Sequence, residues 1–171
     1  MRTILGVDPG LTRCGFGVVT VHGTTVRYVV AGVIRTPADM PVEDRLHAVW
    51  QELTTIVEAR QPDAMAVERV YAQANLRTVM GTAQVSGIAL TMARLHGIPV
   101  ATYTPTEMKA AVTGHGRAEK AQVMAMVQRV LRLDAPVRPA DASDALGLAI
   151  CHAWRGAAQA RMAAALAAVG R

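Results

Sequence analysis

Cysteine, lysine and long apolar runs are all scarce in this sequence, and each scarcity excludes something. Only two cysteines are present, Cys14 and Cys151, far apart in the chain. A disulfide framework or a zinc site of paired cysteines is therefore not expected; two reduced small hydrophobes are. No apolar stretch approaches the ~18 residues that a membrane span needs. The first apolar run meets a charge at Asp8, too early for the core of a secretion signal. A cytoplasmic protein without membrane contact is expected. Lysine is scarcer still. Of 18 basic side chains only Lys109 and Lys120 are lysines, and the other 16 are arginines.

Hydrophobic residues, by contrast, make up 51% of the 171 and charged residues 18%, which excludes a disordered chain and fits one globular domain. The formal net charge is +5, a weak pointer to a polyanionic partner. Its placement says more. Residues 39–68 hold seven acids against two arginines, a local −5, so the rest of the chain carries +10. No acid lies between Glu68 and Glu107, or after Asp144. Glu68 and Asp144 thus sit at the borders of basic stretches, where a nuclease would hold carboxylates beside a phosphate-binding surface. A chance spread of surface charge is the alternative.

Runs rich in β-branched residues predict strands over 3–7, 16–21 and 26–34, an antiparallel meander. Pro41 opens a helix to about residue 60, with Leu46, Val49, Trp50, Leu53 and Val57 at helical spacing. A short strand over 64–68 ends on Glu68. A long helix over 74–96 follows, with Val79, Ala83, Ile88, Leu90 and Leu95 as its expected core. Gly81, Ser86, Gly87 and Ala89 make part of its surface small, open to close approach by another helix. A fifth strand over 98–103 and helices over 105–112, 118–133 and from 140 past Trp154 complete the chain. The alanine-rich end is helical by propensity. No repeat or linker divides the sequence, so residues 1–156 are expected to form the domain and 157–171 a terminal helix or tail. Three antiparallel strands, then alternating strands and helices, imply a mixed sheet covered by helices.

Four acids stand out. Asp8 ends the first strand in Gly6-Val7-Asp8-Pro9-Gly10, at a rigid sheet end beside a turn; Asp before Pro-Gly is also ordinary turn chemistry. Glu68 ends a buried-strand pattern, for function or for an ion pair with Arg69. Asp141 and Asp144 share one face at the start of the last helix. They act either as first-turn acids favoured by the helix dipole or as part of a site. The almost wholly apolar run 145–150 puts them at one end of a core helix. Two strand ends and one helix start can converge at a sheet edge. Carboxylates without nearby thiolate or paired imidazole select Mg²⁺ or Mn²⁺ over zinc. Two such ions suit phosphoryl transfer.

The two lysines are point charges suited to phosphate. Lys109 falls on a short helix. Lys120 lies in the first turn of the next, just after Gly114-His115-Gly116-Arg117, a glycine loop whose amides would make a phosphate cradle at a helix start. Two solvated lysines are the plain alternative.

Taken together, Gly6-Val7-Asp8-Pro9-Gly10, Ala66-Val67-Glu68-Arg69-Val70-Tyr71, Lys109, the run Gly114-His115-Gly116-Arg117-Ala118-Glu119-Lys120 and Asp141-Ala142-Ser143-Asp144-Ala145-Leu146 resemble the RuvC family of Holliday junction resolvases over about residues 2–155. The resemblance implies an α/β, ribonuclease H-like fold: a five-stranded mixed sheet, three antiparallel N-terminal strands plus two parallel, flanked by helices. It also implies a homodimer and a Mg²⁺-dependent endonuclease with two ions per site, Mn²⁺ a plausible substitute. Such an enzyme cuts opposed strands of a four-way DNA junction during recombination and repair and works with the RuvA–RuvB branch-migration complex. Asp8, Glu68, Asp141 and Asp144 match the family's acidic residues, and Lys109 and Lys120 its lysines. Arg69, Tyr71, Lys109, Arg117 and Lys120 are the expected DNA contacts. Tyr71 stands where many members have Phe, and keeps a stacking face. Arg69 replaces Gln, an altered DNA contact.

Two other readings compete. Sugar-kinase and actin-like ATPases share the core topology, but they need two lobes and the chain has room for one. A junction-binding protein that no longer cuts would not be expected to keep all four acids.

Overall fold

In the computed structural model the backbone is described over residues 1–70 and 76–169, and side chains over 1–70 and 78–156. The elements follow the expected order: β1 (Arg2–Asp8), β2 (Arg13–His22), β3 (Thr25–Arg35), α1 (Val42–Arg60), β4 (Ala64–Glu68), α2 (Leu76–Leu95), β5 (Val100–Tyr103), α3 (Pro105–Thr113), α4 (Lys120–Leu131) and α5 (Ala140–Val169). The sheet order is β3-β2-β1-β4-β5. β1–β2 and β2–β3 pair antiparallel; β1–β4 and β4–β5 pair parallel. This is the mixed sheet that the sequence pattern implies.

Strand alternation sorts the core into two layers. Leu5, Val7, Val18, Met65 and Val67 face α1 and α2, packing on Val49, Leu53, Val85, Ala89 and Met92. Ile4, Val19 and Ala66 face the other way, onto Met108, Val123, Leu146 and Ile150 of α3, α4 and α5. By the same two-residue period Asp8 continues the side of Ile4, and Glu68 the side of Ala66. Both acids end their strands toward α5.

α5 lies unusually close to that face because three strand positions there carry no side chain. A Cβ on Gly6 would overlap the Ala145 carbonyl oxygen, and one on Gly15 the Asp141 carbonyl oxygen. One on Gly17 would come within 2.8 Å of the Leu146 amide nitrogen. Gly6 pairs with Gly17 and Asp8 with Gly15, so the three glycines form one bare strip ending beside Asp8. The strip seats the start of α5, and with it Asp141 and Asp144.

Two expectations need correction. Among the described side chains of α2 the buried hydrophobic residues are Val85, Ala89, Met92 and Ala93. Leu90 and Leu95, expected in the core, are 40% and 69% exposed, and Ala83 is exposed too. The helix is apolar on more than one face, so helical spacing could not set its phase. The fifth strand is shorter than expected and starts at Val100. The last helix is continuous to Val169. Both cysteines are free and buried. Among the described residues no helix is long and apolar enough to cross a membrane.

Candidate active site

Five elements meet at the C-terminal end of the parallel strands. Asp8 closes β1, the strand flanked by an antiparallel partner on one side and a parallel one on the other. Glu68 closes β4, and its level is fixed by pairing with Tyr103 and by the bond from Arg69 N to Tyr103 O at 2.8 Å. Asp141 and Asp144 arrive on the first turns of α5. Lys120 opens α4, with its Nζ 3.9 Å from Asp144 Oδ2. Lys109, on α3, is half-buried and near enough to act on Glu68 and Asp144.

The acids share one field. Burial first, then the charges of Glu68, Asp144 and Asp141, push the Asp8 carboxyl up to about 8, with Lys120 pulling the other way. Burial and Asp144 push Glu68 up to about 7, against Lys120 and Lys109. Asp144 is raised as well, by burial and Asp141, with both lysines opposing. Carboxylic acids held this far above their usual range lack positive charge. A divalent cation would supply it, and the donor set, oxygen without thiolate or imidazole, fits Mg²⁺ or Mn²⁺.

Among the described residues, no three Asp, Glu, His or Cys side chains are yet gathered tightly enough to enclose one ion. Asp141 is turned to Arg13, whose Nη2 and Nε lie 2.6 and 2.7 Å from its Oδ2. Sequence reading missed Arg13. The pair is separated by 128 positions, and no local signal announces it.

The remaining expected site residues are placed differently. Among the described residues Glu68 and Arg69 form no ion pair; exposed Arg69 reaches Thr102 Oγ1 at 3.3 Å instead. Arg117 is exposed, in the wall of a cavity of about 570 Å³ with Thr113, His115 and Glu119. The expected phosphate cradle in its loop is corrected by the hydrogen bonds. The Gly114 amide bonds Ala110 O, His115 N bonds Thr113 Oγ1, Arg117 N bonds His115 Nδ1 and Ala118 N bonds His115 O. With those four amides engaged inside the loop, the Gly116 amide and the loop's side chains are left to meet an anion. Tyr71 lies outside the described residues.

Comparison with known proteins bears on the chain as a whole. Residues 4–152 match the family described as crossover junction endodeoxyribonuclease RuvC. The Streptomyces griseus protein of that name is 58% identical over 166 residues, covering 96% of this chain and 81% of its own. The Thermobifida fusca protein is 56% identical over 161 residues, covering 94% and 88%. Among solved structures, Thermus thermophilus RuvC in complex with Holliday junction substrate superposes with a TM-score of 0.86 at 30% identity, over 91% of this chain and 95% of that one. The yeast mitochondrial Holliday junction resolvase Ydc2, at 14% identity over 86% of this chain and 77% of that one, shares the fold with a TM-score of 0.62. Likeness that runs nearly end to end, in sequence and in fold alike, decides the matter: this chain belongs to the RuvC family of crossover junction endodeoxyribonucleases.

Proposed function

We propose that this protein resolves four-way (Holliday) DNA junctions by metal-dependent phosphodiester hydrolysis, leaving 5′-phosphate and 3′-hydroxyl ends that a ligase can seal. The observation that carries the reading is the convergence of Asp8, Glu68, Asp141 and Asp144 at one sheet edge, with Lys109 and Lys120 on its border. Residues 1–156 carry the activity, and 157–169 extend the last helix beyond that domain.

Asp8, Glu68 and Asp141 would hold the two Mg²⁺ ions. Bound there, the ions supply Lewis-acid activation of water and neutralise charge on the leaving oxygen. Asp144 serves as a further ligand or hydrogen-bonds those in place. Lys120, exposed beside Asp144, and Lys109 draw in the scissile and flanking phosphates. Arg69, Arg117 and Tyr71 contact the DNA arms.

The test is a four-way junction incubated with the protein, with and without Mg²⁺. Paired, symmetric, ligatable nicks are expected with Mg²⁺ or Mn²⁺ and none in chelator. Tight junction binding without nicks in either ion would overturn the reading in favour of a non-cutting binder. Junction affinity should fall steeply between about 50 and 200 mM salt, because phosphate contacts release counterions; Lys120→Ala should flatten that slope by about one.

The chain acts as a two-fold dimer in this reading, matching the symmetry of the cut. Met80, Ala83, Gly87 and Leu90 line one exposed face of α2, and Met80 is 55% exposed. An apolar, small-residue face of this kind suits a second copy of the same helix. Leu90→Glu is expected to shift the protein to monomer in sedimentation and to uncouple the two cuts. A dimer of unchanged stability would place the interface elsewhere. Delivery of the junction by RuvA–RuvB follows from the family resemblance.

A further inference from the structure

Arg13 occupies the carboxylate that an ion would need. Both its Nη2 and its Nε are directed at Oδ2 of Asp141. The backbone on either side of Arg13 is strapped down. Thr36 N donates to Thr12 O at 3.2 Å, and the Thr36 hydroxyl donates to Leu11 O. Buried Arg45 donates to Thr36 Oγ1 at 2.9 Å and to Thr12 Oγ1 at 2.7 Å. Among the described residues no carboxylate pairs with Arg45, so its role is to hold this loop. The Arg13 side chain is not confined in the same way. It is 40% exposed and lines an open groove of about 970 Å³ with Gly10, Thr12 and Gly81. A fixed backbone, a rotatable side chain and an adjoining groove describe a cation that can leave Asp141 without any shift of the fold.

We propose that Arg13 is the exchangeable counter-ion of Asp141: it neutralises that carboxylate in the metal-free protein and yields it to an arriving divalent ion, turning into the groove. The proposal rests on Asp141 being a metal ligand, as read above. With both of its donors on Oδ2, the guanidinium repels a divalent ion arriving at the same carboxylate, and the two compete for its charge. Arg13 therefore sets how tightly the ion binds. As a positioning residue, it acts through Asp141 rather than on the substrate.

The test is Mn²⁺ binding to the protein alone, without DNA, with free Mn²⁺ read by electron paramagnetic resonance. Arg13→Ala is expected to bind Mn²⁺ about three- to tenfold more tightly than the parent, the scale of a half-exposed ion pair removed together with its repulsion. Arg13→Lys keeps the charge and should stay within about twofold. Adding Asp141→Asn to Arg13→Ala should erase the gain. Melting curves show whether each variant is folded. Unchanged or weaker Mn²⁺ binding by folded Arg13→Ala, while the parent binds and Asp8→Asn does not, would overturn the exchange and leave the metal site standing. A parent protein that binds no Mn²⁺, or an Asp8→Asn variant that binds it normally, would overturn the metal site itself and the exchange with it.

Discussion

Asp8→Asn should lose more than about a hundredfold in junction cutting, since even residues behind a metal ligand cost 10–100-fold. Its junction affinity should stay within about twofold. Asparagine keeps the shape of the strand end and removes only the charge, on the one acid whose carboxyl feels all three others. The same variant changes stability in a predictable direction. In the metal-free fold Asp8 holds its proton up to about 8 and Glu68 up to about 7, against ordinary values of 3.8 and 4.5. Between those limits the fold keeps protons that the unfolded chain has released. The contribution of these two acids to metal-free stability is therefore fullest below about pH 4 and declines as the pH rises toward 8, by up to about tenfold in the unfolding constant per pH unit for each such proton. Asp8→Asn removes its share of that decline, so in chelator at pH 8 it should melt higher than the parent. Mg²⁺ should raise the melting point of the parent at pH 8 and that of the variant much less. An unchanged pH profile in the variant would mean that Asp8 is not buried among acids as the structure places it. Because ion binding must displace those protons, Mg²⁺ affinity and cutting should both climb between pH 6 and about 8.

Gly15→Ala should be nearly as damaging, although it touches no charge. The added methyl would fall on the Asp141 carbonyl oxygen and 2.7 Å from its carbonyl carbon, both backbone atoms of α5. No side chain can rotate away to make room. Either the helix lifts from the sheet or the fold absorbs the overlap as strain, at about 1–3 kcal/mol for overpacking. A lift of an ångström moves Asp141 and Asp144 away from Asp8, and misplacement on that scale can cost about a hundredfold in rate. The expected result is a folded protein with a lower melting point, weaker Mn²⁺ binding and little cutting. Gly156→Ala is the control for stability, since a Cβ there comes no nearer than 3.9 Å to the His152 ring. In a helix interior alanine is favoured over glycine by up to about 1 kcal/mol. Wild-type cutting by Gly15→Ala would mean that α5 is not seated against β2 as described.

The strands and helices were legible in the sequence because each carries a local cue. β4 ends on Glu68 as its pattern says, and α3 starts at Pro105, where Thr104 and Glu107 form a reciprocal cap. The four acids were legible too, since each sits at the end of such an element. What was not legible depends on packing between distant segments. Leu90 and Leu95 read as core because an apolar helix has no polar face to set its phase. The loop before Lys120 read as an anion cradle because sequence shows its glycines and not the hydrogen bonds made by its amides. Arg13 read as one arginine among sixteen. Its importance comes from Asp141, which the sheet and α5 bring to it across most of the chain. Gly15 and Gly17 carried no message beyond permissive strand residues, since their meaning lies in the helix that covers them.

The bare strip of Gly6, Gly15 and Gly17 also has a genetic consequence. Every single-base change of a glycine codon that alters the amino acid introduces a residue with a Cβ, and at these positions even alanine collides with the helix backbone or side chains above. No neighbouring codon offers a mild alternative, so one-step drift at these three sites cannot be gradual. A library of random single-base variants selected for junction resolution should return silent changes at codons 6, 15 and 17. Replacements at Gly156, where a Cβ comes no nearer than 3.9 Å to the His152 ring, should be tolerated more often.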